Sequence, residues 1–123
     1  MNRKVLILGG PKTGKSTRAQ GMGTPVLNTD HLRDRGWGED SAEVAQWMNK
    51  PGSWVIEGTA VVRGLRKWMT QNPDARLDGV EIVALNRPYG MRSEGQERMA
   101  KGCDTIWGQI RADAVRRGAR VTR

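Results

Sequence analysis

Residues 5–17 read VLILGGPKTGKST, from Val5 to Thr17. Val5-Leu6-Ile7-Leu8 is a short apolar run with no polar alternation, the pattern of a strand buried on both faces inside a parallel sheet. Directly behind it, Gly9, Gly14, Lys15 and Ser16 are spaced as in a phosphate-binding loop, with Gly10, Pro11, Lys12 and Thr13 filling the four intervening positions. Glycines let backbone N–H groups curl round phosphate oxygens. Lys15 supplies a compact cation, and the hydroxyl of Ser16, followed by Thr17, can ligate a divalent metal. A helix opening at Lys15 turns the positive end of its dipole to the same anion. Lys12 stands where such loops often carry Gly; it either adds charge near the terminal phosphate or points into solvent.

Working outward, the remaining elements alternate. A helix is expected from Lys15 to about Gln20, cut short by Gly21 and Gly23, and a short strand at Pro25–Asn28 that ends in Thr29-Asp30. Asp40 followed by Glu43 has the spacing of a capping box and opens a helix to about Asn49, closed by Pro51-Gly52. Trp54-Val55-Ile56 is a third strand. Thr59 to about Thr70 is a helix with Val62, Leu65, Trp68 and Met69 on one face, and Thr59 is its alternative cap. Val80–Leu85 is a fourth strand, and a Gly-, Arg- and Glu-rich stretch over 86–102 precedes a helix from about Asp104 to Arg117. Val121 seeds a fifth strand. Strands alternating with helices predict an α/β fold, three layers α/β/α around a mostly parallel sheet of about five strands, in a single domain over residues 1–123.

Composition narrows the function. There is no apolar run of membrane-spanning length and no signal-peptide pattern, which predicts a chain with no membrane partner. The lone Cys103 excludes an internal disulfide and a thiolate zinc cluster, and a reducing cytoplasm is its expected setting. The chain carries 21 Lys and Arg against 13 Asp and Glu, a net charge of +8. Residues 87–123 hold nine basic residues against four acidic ones. Such an excess suits a polyanion such as DNA, because each neutralised phosphate releases condensed counterions. A solvated basic face is the alternative.

Ligands of parallel α/β sheets bind beyond the carboxyl ends of the strands. Those ends carry the phosphate loop, Asp30, Glu57 and Asn86-Arg87. A carboxylate at the second strand end is placed to take the proton of an attacking hydroxyl; Asp30 is also a fitting helix N-cap. Glu57 stands where a carboxylate would hold Mg²⁺ through water, although a purely structural glutamate fits there too.

The segment KVLILGGPKTGKSTRAQ followed by VLNTDHLR resembles the P-loop kinases, and among them the kinase domain of phage-type polynucleotide 5′-hydroxyl kinases. The likeness covers residues 4–35 well and the rest only in element order. It implies ATP and Mg²⁺ as cofactors, Asp30 as general base and Arg33 as a residue that holds the acceptor. It also implies a lid over 86–102. Arginines there, Arg92 and Arg98 ahead of Arg87, would neutralise the γ-phosphate in the transition state, or would simply be solvated. Trp37, in the glycine-flanked stretch RGWG, is able to stack on a base or pack on the following helix. Trp54 and Trp68 belong to the core, and Trp47 and Trp107 to helix faces. His31 is expected at the surface or in packing, and Asp34 in an ion pair.

For so small and basic a chain, the acceptor implied is a hydroxyl on DNA. The favoured one is the hydroxymethyl of 5-hydroxymethyluracil, by similarity to the small phage P-loop kinases that phosphorylate that base. A 5′-hydroxyl end, a free nucleoside or nucleotide, a small metabolite, and an ATP-binding module without transfer remain the alternatives.

Overall fold

The computed structural model describes residues 3–10, 25–29, 39–85 and 90–122. Five strands, β1 (Lys4–Gly9), β2 (Val26–Asn28), β3 (Trp54–Glu57), β4 (Val80–Leu85) and β5 (Arg120–Thr122), form one sheet in the order β2-β3-β1-β4-β5. Every neighbouring pair is parallel. Three helices are described: α1 (Glu39–Trp47), α2 (Val61–Gln71) and α3 (Glu94–Arg116). The α/β class and five-stranded sheet expected from the alternating elements are present, and the sheet is wholly parallel. None of the described helices is long and apolar enough to cross a membrane.

The apolar run of β1 divides by strand periodicity. Leu6 and Leu8 point to the face that also carries Ile56 and Ile82, and all three helices pack there through Val44, Val61, Leu65, Ile110 and Ala114. Val5 and Ile7 point to the other face with Val55 and Val83, and all four are fully buried. A sheet buried on both faces is the three-layer arrangement, and it explains why the strand had no polar alternation. Each fully buried aliphatic side chain contributes about 1.5–3 kcal/mol relative to leaving it in water. Trp54 and Trp68 are core residues as expected, and Trp47 and Trp107 pack half-buried against the same cluster.

Three local expectations are corrected. Asp40 does not cap α1: the helix already includes Glu39, and the Asp40 carboxylate accepts from Arg63 of α2 at 3.0 Å. Thr59 does not cap α2, whose N-cap is Ala60 with no side-chain bond; the Thr59 carbonyl instead accepts from the Cys103 thiol of α3 at 3.5 Å. The largest difference is α3, which begins at Glu94 rather than Asp104, so 94–102 is helix and not loop. Its start is fixed by a capping box: the Gln96 N–H donates to Ser93 Oγ at 3.2 Å and the Ser93 N–H donates to Gln96 Oε1 at 2.9 Å. Gly95 and Gly102 are tolerated inside it, because an isolated glycine costs about 1 kcal/mol against alanine and does not by itself end a helix. The expected helix at 15–20 lies outside the described residues.

The far end of α3 is held by Arg117, the residue that follows it. Its guanidinium donates to the carbonyls of Asn72 (2.7 Å), Ala75 (3.1 Å) and Met69 (3.3 Å), and to Asp113 Oδ2 at 3.2 Å. Carbonyls at the end of α2 that have no intrahelical partner are thereby satisfied by a buried cation.

Candidate functional site

The strand order locates a crevice. From β1 the chain leaves toward the β2 edge, whereas from both its neighbours, β3 and β4, it leads toward the β5 edge. Such a reversal opens a binding crevice beyond the carboxyl end of the central strand. That end is Gly9-Gly10, the start of the GGPKTGKST stretch. The neighbouring strand ends are level with it: Leu85 lies opposite Gly9, and Glu57 lies opposite both Ile7 and Asn28.

Two close approaches shape the crevice. A Cβ on Gly10 would lie 2.5 Å from Ala100 Cβ and 3.3 Å from Arg92 Nη2, so only a bare Cα lets α3 sit this close to the loop leaving β1. Gly58, just past β3, has φ +136°, and a Cβ there would lie 1.8 Å from Thr29 Oγ1. Glycine at these positions draws α3 and the end of β2 against the ends of β1 and β3.

The floor on the β2–β3 side is polar and buried. Glu57 is 1 % exposed and Thr29 1 % exposed, with the Glu57 Oε2 oxygen buried. Thr29 Oγ1 has no hydrogen-bond partner among the described residues, an arrangement that costs about 1–3 kcal/mol unless a ligand, ion or water completes it. On the α3 side the Arg92 side chain is 7 % exposed and pairs with Glu97 at 3.7 Å. Arg98, the other arginine considered for the same role, is exposed and lines a depression together with Arg92, Glu97, Ala100 and Lys101. The structure therefore separates two residues that sequence reading left equivalent: Arg92 lies beside Gly10, and Arg98 faces solvent.

Of the expected site residues, Gly9, Gly10, Glu57 and Arg92 are brought to the strand ends. Pro11, Lys12, Thr13, Gly14, Lys15, Ser16 and Thr17 of the loop, Asp30, Arg33, Trp37, His31, Asp34 and Arg87 lie outside the described residues. A buried carboxylate and hydroxyl next to a glycine loop fit the outer shell of a hydrated Mg²⁺ whose other ligands come from phosphate oxygens. Among the described residues no group of three or more His, Cys, Asp or Glu is gathered as a metal cage of protein ligands alone requires.

Sequence reading missed a cavity of about 510 Å³ on the other side of Gly9, under α3. Leu8, Ala84 and Val121 line it, with Asp104, Trp107 and Arg111 from the helix and Thr122 from β5. Asp104, Trp107 and Arg111 are three and then four residues apart, so they share a helical face. That signal becomes readable once α3 is known to run unbroken through Gly102 and Gly108. No protein-family model matches the chain, and no curated protein does either.

Proposed function

We propose that the protein is an ATP- and Mg²⁺-dependent phosphotransferase that moves the γ-phosphoryl group to a hydroxyl on DNA, the hydroxymethyl of 5-hydroxymethyluracil being the favoured acceptor. The observation that carries the reading is Gly10, the second residue of the phosphate-loop pattern, lying at the carboxyl end of the central strand with the buried Arg92 guanidinium beside it. Phosphoryl transfer asks the protein for positioning and charge neutralisation more than for covalent chemistry.

In this reading Lys15 and the loop backbone hold the β- and γ-phosphates, and Ser16 with Glu57 holds the metal, directly and through water. Mg²⁺ supplies charge neutralisation on the phosphate oxygens. Arg33 orients the acceptor and Asp30 takes its proton. The acceptor oxygen forms a bond to the γ-phosphorus as the bond from the bridging oxygen to that phosphorus breaks, and ADP departs with the electron pair. Arg92 neutralises the charge that accumulates on the transferring group. Arg98 has no part in this step. A cytoplasmic setting belongs to the same reading, since ATP is there and the free thiol of Cys103 stays reduced.

The test uses γ-labelled ATP with four acceptors: duplex DNA carrying internal 5-hydroxymethyluracil, the same duplex with thymine, 5′-hydroxyl oligonucleotides, and free nucleosides. Label confined to the modified duplex and resistant to end-specific phosphatase is expected. Label on 5′ ends or on nucleosides would reassign the acceptor, and no label anywhere would leave an ATP-binding module. Lys15→Ala should abolish transfer, and Asp30→Asn should retain ATP binding while losing transfer. Transfer by Asp30→Asn at the wild-type rate would refute the general-base role.

A further inference from the structure

Among the described residues the cations divide into those that are paired and those that are not. Arg3 pairs with Glu81, Arg63 with Asp40, Arg76 with Asp78, Arg92 with Glu97, and both Arg116 and Arg117 with Asp113, while Lys50 lies over the Trp47 ring at 4.1 Å. Arg98, Lys101, Arg111 and Arg120 are exposed, and none has an ion pair or side-chain hydrogen bond among the described residues. Lys4, Arg66 and Lys67 also lack one, but Lys4 opens β1 and the other two are adjacent on α2. Arg98, Lys101 and Arg111 line up along α3, whereas Arg120, opposite Glu81 and next to the inward Val121, points to the sheet face away from α3.

Between them α3 presents little side chain. Arg98, Lys101, Thr105, Gly108 and Ala112 recur at intervals of three and four residues and are all exposed, so they share one outward face. A Cβ on Gly102 or Gly108 would meet nothing within 4 Å. From Arg98 to Arg111 the cations span about 20 Å along the helix, with Arg111 about a quarter-turn from the others, at the edge toward the cavity. Arg111 is shared by the cavity at the strand ends and a shallow groove with Gly108, Ala112, Val115 and Arg116. At the other end Arg98 and Lys101 share their depression with Arg92 and with the acids Glu94, Glu97 and Asp104. The three cations thus pass the crevice from one side to the other. The acids of α3 are Glu97 and Asp113, engaged by arginines, Glu94, one turn before Arg98 on the same face, and Asp104, beside Lys101 and Arg111.

We infer that the exposed side of α3 binds the sugar-phosphate backbone of a nucleic acid through Arg98, Lys101 and Arg111. The inference rests on the reading of DNA as acceptor and names the surface that would hold it. Unpaired cations on a low-profile helix face admit a rod of phosphates close to the helix backbone. They carry no base-reading geometry, so the contact positions the strand and does not select its sequence.

The test is binding without ATP, by fluorescence anisotropy of a labelled duplex and of the corresponding single strand at stepped salt concentrations. Wild-type affinity should fall log-linearly with salt. The variant with Arg98, Lys101 and Arg111 all changed to Gln should lose about two to three units of that slope, equally for every sequence. Lys101→Gln and Arg111→Gln should each lose about one unit, which keeps the test available should the threefold variant not fold. Asp104→Asn should bind more tightly than wild type. Unchanged slopes in these variants would overturn the inference, as would wild-type binding to anionic vesicles or acidic protein with none to either nucleic acid. Salt-dependent binding lost in the variants, with no phosphate transferred to DNA, would uphold the surface and refute the kinase reading. Transfer to free nucleosides without nucleic-acid binding would do the reverse.

Discussion

Both ends of α3 bury an arginine, and the two are used differently. Arg117 is 6 % exposed at its side chain and directs its donors to three backbone carbonyls at the end of α2 and to Asp113. Arg92 is 7 % exposed and lies against the bare Cα of Gly10, with the half-exposed Glu97 at 3.7 Å as its ion-pair partner. A guanidinium whose fork is filled by short bonds to carbonyls is a structural tie. One held beside the glycine start of a phosphate-loop pattern is suited to an anion that arrives and leaves. Burial alone does not separate the two; Arg117 lies among the carbonyls that follow α2, and Arg92 lies beside Gly10.

The comparison is most easily broken at Arg117. Arg117→Ala would take a buried donor from the Met69, Asn72 and Ala75 carbonyls and leave Asp113 with Arg116 alone. It should destabilise the fold by about 3–5 kcal/mol, the range for removing one partner of a buried charged network. Thermal unfolding by circular dichroism should show the loss, while the protein that remains folded keeps its ATP affinity. A midpoint within a degree or two of wild type would remove the structural tie.

Arg92 should show the opposite balance. Arg92→Ala is expected to lower kcat by about 10²–10³-fold, as removal of a donor aimed at developing charge does, with little change in the unfolding midpoint. Arg98→Ala should leave kcat within about twofold of wild type, as expected for an exposed side chain away from the reacting atoms. Gly10→Ala should imitate the Arg92 loss, because the added methyl displaces Ala100 and Arg92 together. Equal kinetic losses in Arg92→Ala and Arg98→Ala would erase the distinction between them.

The smallest effect concerns pH. The Arg116 guanidinium beside Asp113, followed by Arg117, holds the Asp113 carboxyl below the usual carboxylate range. A depressed carboxylate contributes stability that is fully present above its unfolded value and lost as pH falls through its folded one. The difference in unfolding midpoint between wild type and Asp113→Asn should therefore be constant at neutral pH and shrink only below the usual carboxylate range. A difference that persists into strong acid would mean that packing, not charge, carries the contribution of Asp113.

How much of this was legible in the sequence varies by element. β4 was readable to the residue, Val80–Leu85, and β1 to within one residue, because apolar runs bounded by Gly, Asn and Asp are local signals. Gly9, Gly10 and Glu57 were recognisable as strand-end residues for the same reason. α3 was misjudged over its first ten residues. Two glycines outweighed the Ser93–Gln96 capping box in the reading, whereas in the structure Ala100 gains the contact with Gly10 that holds those turns in place. Asp40 was misread in the same way: its spacing to Glu43 fits a capping box, but it lies inside the helix, where its carboxylate accepts from the Ser41 N–H at 2.7 Å and from Arg63 at 3.0 Å.

The sequence by itself determined the alternating elements, the two-sided burial of β1, the phosphate-loop pattern and the net positive charge, all of which depend on residues within a few positions of one another or on composition. Only the tertiary structure decided that Arg92 and not Arg98 lies by the loop, that Arg117 ties α3 to α2, and that Trp107 and Arg111 border a cavity. Those outcomes depend on pairs such as Gly10 with Ala100 or Asn72 with Arg117. Local propensity carries no information about which side chain meets which once a crossover has folded back on the sheet.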